Sequence, residues 1–205
     1  GMVVLHRKRV LQERNRRFFQ KNINRGICEI SYAIYQILQD AKEAGVLISF
    51  DPNLRKPLWK SMDDAKEKIS WGLSQCDILK ISDDEIEFMT GEKDIKTGVK
   101  KLIDEYHIPF ICATMGKNGS MAFFDGHIVE AAPFLRDDTV ETTGAGDTFC
   151  ACLLHDVLEH GINDRKDDDV KKMLTFANAA ASLITTRKGA LRVMPEKGEV
   201  EAVIK

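Results

Sequence analysis

The apolar positions of this chain change period repeatedly, and each change marks a new element. Ile30, Ala33, Ile34, Ile37, Leu38 and Ala41 recur at helical intervals, which predicts a helix that Gly45 ends. Val46-Leu47-Ile48-Ser49-Phe50 is a short continuous apolar run, the pattern of a strand buried on both faces. Asp51-Pro52-Asn53-Leu54-Arg55 leaves it as a loop. Ser61 caps a helix from near Met62 through Ala65, Ile69 and Leu73, and Asp77-Ile78-Leu79-Lys80-Ile81 reads as the next strand. Ser82 and Glu85 have capping-box spacing and open a helix that ends near Gly91. Val99, Leu102, Ile103 and Tyr106 place another helix before a strand over Pro109 to Thr114. Ser120 to Phe124 and His127 to Ala131 read as a hairpin about Asp125-Gly126. Val170, Met173, Leu174, Ala177, Ala180, Ala181 and Ile184 mark a long final helix.

Strands alternating with helices predict an α/β domain with a mostly parallel sheet and helices on both faces. Ligands bind such sheets at the carboxyl ends of the strands. The loops after Phe50, Ile81 and Thr114 are therefore the ones to search for chemistry.

Residues 2–26 break the pattern. Arg7, Lys8, Arg9, Arg14, Arg16, Arg17, Lys21 and Arg25 crowd there against the single acid Glu13, with only a loose apolar face and no strand patterning. The two readings are a basic arm for anionic partners and a solvated, partly disordered leader; the composition favours the leader. The division expected is a leader over 1–26 and one domain over 27–205, with Gly1 set aside as a cleavage scar before Met2.

Composition narrows the class. With 205 residues, 43% hydrophobic and 30% charged, the chain can bury one real core. A formal charge of −2 argues against a nucleic-acid partner. No apolar run approaches the ~20 residues of a membrane span, and no signal peptide is visible, so no membrane partner is expected. The five cysteines are Cys28, Cys76, Cys112, Cys150 and Cys152, with no C-x-x-C pair. They predict reduced thiols in the cytoplasm rather than a disulfide framework or a zinc site.

The chemistry concentrates at Glu141-Thr142-Thr143-Gly144-Ala145-Gly146-Asp147, which runs into the helical apolar spacing of residues 150–158. A small-residue turn opening a helix aims N–H groups and a positive dipole end at whatever lies in front, usually phosphate. Asp147 in the first turn either favours the helix dipole, an effect of ~0.3–1 kcal/mol, or takes a proton. A dinucleotide fingerprint is not met, because its third glycine would fall at Phe149. Gly116-Lys117 is not a P-loop, since Ile111 holds the glycine position and Asn118 replaces Ser or Thr.

Glu141 to Asp147 resembles the D-T-x-G-A-G-D signature of the ribokinase-like (PfkB) carbohydrate kinases. Phe50 to Trp59 and Lys80 to Gly91 resemble the fructokinase branch of that family. Thr114 to Gly119, and Asn178 to Ala181 through Lys188-Gly189-Ala190, match in type and order. The resemblance runs from about residue 30 to about residue 198. It implies a Rossmann-like three-layer sandwich of ribokinase type, truncated at the N-terminus. The family's amino-terminal half, with its sugar contacts and lid, has no counterpart in these segments.

The resemblance also implies roles. Asp147 would be the catalytic base toward a sugar hydroxyl, with the N–H groups of Gly144, Ala145 and Gly146 forming the anion hole for the γ-phosphate of ATP. Thr114, Gly116 and Gly119 would lie beside the nucleotide phosphates and ribose, and Asn178, Gly189 and Ala190 would flank adenine. Asp51, Asn53 and Arg55 would face the sugar. Glu85 and Ser82 would organise Mg²⁺ through water, a role compatible with their capping box. Glu141 stands where the family has an aspartate beside a monovalent-cation site, so K⁺ is a further candidate cofactor. The activity implied is an ATP-dependent carbohydrate kinase of fructokinase type that forms a homo-oligomer. The alternatives are a 2-keto-3-deoxygluconate-type kinase, suggested by the Arg55 loop with Trp59, and a non-catalytic nucleotide-binding or association remnant. The partner expected is a small sugar or sugar acid.

Overall fold

The computed structural model describes residues 2–4, 27–189 and 191–205. One sheet organises it, with strands β1 (Met2–Val4), β2 (Ile48–Phe50), β3 (Ile78–Ser82), β4 (Phe110–Thr114), β5 (Ser120–Phe124) and β6 (His127–Ala131) lying side by side in chain order. The parallel core expected from the pattern is β2–β3–β4. Antiparallel pairing adds β1 on one side and the β5–β6 hairpin on the other.

Successive side chains of a strand point to opposite faces, so a strand buried on both sides feeds two cores. Leu79, Ile81, Ile111 and Ala113 enter the core built with α1 (Ile27–Glu43), α2 (Met62–Leu73), α3 (Asp83–Thr90) and α4 (Ile95–Tyr106). Ile78, Phe110 and Cys112 enter the opposite core with α5 (Ala145–His160) and α6 (Asp167–Ile184). The result is three layers. A final helix, α7 (Lys197–Ile204), packs on α6 through Val200 against Ala179, Ala180 and Leu183.

Local chemistry accounts for most boundaries. The Ser61 side chain accepts from Asp64 N–H, and Ser82 and Glu85 form the full capping box. Asp125 and Gly126 both take positive φ, as a two-residue hairpin turn requires.

Three expectations need correction. Strand β2 begins at Ile48 rather than Val46, because Val46 N–H turns back to the Ala41 carbonyl and completes the helix exit. The helix ending at Ile184 is not the last, because α7 follows with a Glu196–Glu199 capping box; an eight-residue helix is too short for its periodicity to stand out. Met2–Val4 forms an edge strand on β2, pairing Val4 with Ile48, although residues 2–26 carry no strand patterning. The leader expectation for residues 5–26 lies outside the described residues.

One glycine fixes how the turn between β4 and β5 meets the end of β6. Gly119 has φ of +89°, and a Cβ there would lie 2.2 Å from the Ala131 carbonyl oxygen. Gly119→Ala therefore lowers stability by about 2–3 kcal/mol, read as a shift in the chemical-denaturation midpoint. An unshifted midpoint would contradict this packing.

Candidate active site

The parallel strands β2, β3 and β4 deliver their carboxyl ends to one edge, where Ser82 stands in register with Thr114. Beside them the chain enters α5 through Gly144, which has φ of +84° and caps the helix with no side-chain bond. Such a conformation suits a residue without Cβ. Ala145 N–H folds back to the Thr142 carbonyl at 3.2 Å, and Thr148 N–H reaches the Gly144 carbonyl at 2.8 Å. The N–H groups of Gly146 and Asp147 have no acceptor among the described residues. They lie in the first turn of a 16-residue helix, at its positive end. The Asp147 side chain is exposed there.

Lys80 links the loop after β2 to this turn, since it pairs with Asp51 and its Nζ would stand 3.2 Å from a Cβ on Gly146. Asn53 takes a left-handed conformation at φ of +46°. Arg55 is exposed and pairs with no carboxylate among the described residues. Asn53, Arg55, Lys80, Ser82 and Glu85 line one cleft of about 460 Å³. Asp51, at the start of the same loop, is ion-paired with Lys80 at 3.3 Å, both side chains being almost buried. Burial pushes the Asp51 carboxyl above the usual carboxylate range, Lys80 pulls it back and Glu85 adds to the rise.

Glu85 is committed to structure as well as placed in the cleft. One carboxylate oxygen accepts Ser82 N–H at 2.9 Å and the other accepts Leu54 N–H at 2.7 Å. The capping carboxylate thus also clamps the Asn53–Arg55 loop onto the start of α3.

The residues expected to flank a nucleotide form a second group. Thr114, Gly116 and Gly119 belong to the turn joining β4 to β5, and Gly116 has φ of +52°. Asn178 is buried rather than at the surface, and its amide donates to the Ala131 and Ala132 carbonyls at 3.2 and 3.0 Å. Glu141 accepts Gly189 N–H at 2.6 Å, and the Val140 and Glu141 amides both bond the Thr185 carbonyl. These bonds hold the end of β6, the C-terminal turn of α6 and the approach to α5 together. Ala190 lies outside the described residues. A larger groove of about 880 Å³ between α5, α6 and α7 contains none of the candidate site residues.

Lys80 is the residue that pattern reading passed over. It is a strand position with apolar neighbours on both sides, in a strand buried on both faces. A lysine in that setting is costly unless paired, and that is the signal that could have found it.

Two cysteines on α5 have thiols shifted by their surroundings, and of these Cys150 feels the site. Burial, above all, raises the Cys150 and Cys152 thiols to about 11, with Asp51 adding to the rise at Cys150. Thiolate is the reactive form, so Cys150 and Cys152 of the native protein at pH 7.5, read by peptide mapping, react with iodoacetamide far more slowly than in the guanidine-unfolded chain. Equal rates would contradict these environments.

A sequence profile described as pfkB family carbohydrate kinase matches residues 16–197. The chain belongs to this family. Relatives of this pfkB kinase chain include the "Probable fructokinase-2" of Arabidopsis thaliana, 35% identical over 168 residues, covering 82% of this chain and 51% of the relative. The "Putative fructokinase-8" of the same plant is 34% identical over 167 residues, covering 82% of this chain and 79% of its own length. Among solved structures, fructokinase from Vibrio cholerae O395, in its fructose, ADP and calcium ion bound form, superposes with a TM-score of 0.75 at 26% identity. That match covers 85% of this chain and 56% of the solved one. The chain spans about half the length of most of the fructokinases it matches. The pfkB chain has the ribokinase-like fold, and no helix among its described residues is long and apolar enough to cross a membrane.

Proposed function

We propose that this chain is the phosphoryl-transfer portion of an ATP-dependent sugar kinase of fructokinase type. The observation that carries the reading is the start of α5. The Gly146 and Asp147 N–H groups and an exposed first-turn carboxylate stand there beside the cleft that holds Arg55, Lys80 and Glu85. Asp147 accepts the proton of the sugar hydroxyl as that oxygen attacks the γ-phosphorus, and ADP departs. The first-turn amides and the helix dipole hold the charge on the transferred group, and positioning does most of the work in such reactions. Thr114, Gly116, Gly119, Asn178 and Gly189 shape the nucleotide side, and Asp51, Asn53 and Arg55 the sugar side.

The donor set fits Mg²⁺ held through water. Each Glu85 oxygen accepts one backbone N–H and keeps lone-pair capacity, while Ser82 lines the same cleft. When bound, the ion would offset charge on the nucleotide phosphates. Glu141, with one oxygen taken by Gly189 N–H, keeps its second for K⁺. Reduced thiols at Cys76, Cys112, Cys150 and Cys152 support a cytoplasmic location. Exposed Leu58, Leu135 and Val140 support self-association, in keeping with a homo-oligomer.

A second reading is a sugar acid as acceptor, because Arg55 and Lys56 both line the cleft and suit a carboxylate. ADP release in the presence of Mg²⁺·ATP, measured with fructose and with 2-keto-3-deoxygluconate, separates the two. Fructose-stimulated release is expected. Stimulation by the sugar acid alone would favour the second reading. Nucleotide binding without stimulation by any sugar would leave a non-catalytic module and overturn the kinase proposal.

A further inference from the structure

The groove of about 880 Å³ between α5, α6 and α7 is built along one face of α5. Thr148, Ala151, Cys152, His155, Asp156 and Glu159 line it, at the three- and four-residue spacing of a single helical stripe. At about 1.5 Å per residue that stripe is ~16 Å long. Met173 and Phe176 of α6 and Val200 of α7 supply apolar wall. Every lysine and arginine in the groove is taken. Arg165, its side chain 4% exposed, pairs with Asp156 at 2.7 Å, Lys172 with Asp169 at 3.2 Å and Lys197 with Glu201 at 3.9 Å. Two carboxylates are left over. Glu159 meets only the His155 imidazole, at 4.0 Å, and Asp164 forms no ion pair among the described residues. They stand at and just beyond the carboxyl end of a 16-residue helix, whose dipole adds about half a negative charge there. Toward the other end, Thr148 is 3% exposed and its hydroxyl has no hydrogen-bond partner among the described residues. A buried hydroxyl left unpaired is costly, so this one calls for a partner.

We propose that this groove binds an organic cation, with its ammonium held by Glu159 and Asp164, its apolar chain along Met173 and Phe176, and a polar group at its far end hydrogen-bonded to Thr148. An ammonium offsets the two unpaired carboxylates, and thioether and aromatic side chains accept a cation-bearing chain. An anion would face both carboxylates with no free lysine or arginine to offset them. The site is separate from the cleft that holds Arg55 and Glu85, and the inference does not depend on the kinase reading. Thr148 directly follows Asp147, so the groove backs onto the first turn of α5.

The test is a titration followed by methionine-methyl NMR, with ω-aminooctanol, octylamine and ω-hydroxyoctanoate as probes. Aminooctanol shifts the Met173 and Met194 signals, which belong to the groove, and leaves Met89 and Met121, on the other side of the sheet, unmoved. Octylamine lacks the hydroxyl for Thr148 and binds at least about threefold more weakly. Hydroxyoctanoate, with a carboxylate in place of the ammonium, binds at least about tenfold more weakly. The double variant Glu159→Gln/Asp164→Asn alters two exposed side chains, keeps the fold and loses at least about fivefold in affinity for aminooctanol. Thr148→Val brings aminooctanol down to the level of octylamine, and the octylamine comparison carries the same point if that variant fails to fold. Unmoved Met173 and Met194 signals, equal binding of hydroxyoctanoate and aminooctanol, octylamine as tight as aminooctanol, or undiminished binding by the double variant would each overturn the proposal.

Discussion

Asp147→Asn lowers sugar-dependent ADP formation by ~10²–10⁴-fold and leaves nucleotide affinity nearly unchanged. The amide keeps the size of the side chain and its place in the first turn of α5, so the turn and its free amides persist. What it removes is the capacity to take the proton of the attacking hydroxyl. The competing role for Asp147, support of the helix dipole, is worth only ~0.3–1 kcal/mol and touches stability alone. A kinetic loss of the stated size with an unchanged melting temperature therefore separates base from dipole partner. A variant as fast as the unsubstituted chain would remove Asp147 from the mechanism.

Glu85→Ala has the largest expected effect on stability, about 3–5 kcal/mol. Its carboxylate accepts Ser82 N–H and Leu54 N–H, and each charge-assisted bond is worth about 1.5–3 kcal/mol. Truncation uncaps α3 and releases the Asn53–Arg55 loop in one step. Glu85→Gln keeps one accepting oxygen and loses about half as much, since the amide nitrogen cannot accept. The same pair separates capping from a metal role. Denaturation midpoints measured without Mg²⁺ report the capping part. The Mg²⁺ concentration needed for half-maximal turnover of Glu85→Gln reports the other. A stability loss under 1 kcal/mol for Glu85→Ala would contradict the clamp between β2 and α3.

How much could be read from the chain depended on how local each signal was. The Ser82–Glu85 box, the Asp125-Gly126 turn and the short, mostly apolar segments of β3 and β4 each lie within a few residues, and the fold uses them. The motif from Glu141 to Asp147 was legible because its glycines and aspartate are contiguous. Lys80 was not, because its meaning comes from Asp51 on the neighbouring strand's loop and from Gly146, which is 66 residues away in sequence. Asn178 had a usable sign. It sits four residues after Leu174 and one after Ala177, on the buried stripe of α6, where a polar side chain needs partners such as the Ala131 and Ala132 carbonyls. Met2–Val4 had only a weak sign, a short apolar run with two valines. A three-residue edge strand is specified by the strand it joins, here β2, rather than by its own pattern.

The central claim is that the start of α5 holds the transferring phosphoryl group. Amide hydrogen exchange at Gly146 and Asp147, followed by NMR with and without Mg²⁺·adenylyl imidodiphosphate, tests it most directly. These N–H groups have no acceptor among the described residues, so they exchange fast in the free chain. The account predicts that the nucleotide slows both, and that AMP, lacking the terminal phosphates, does not. Protection of other segments by the nucleotide with Gly146 and Asp147 still exchanging fast would contradict it.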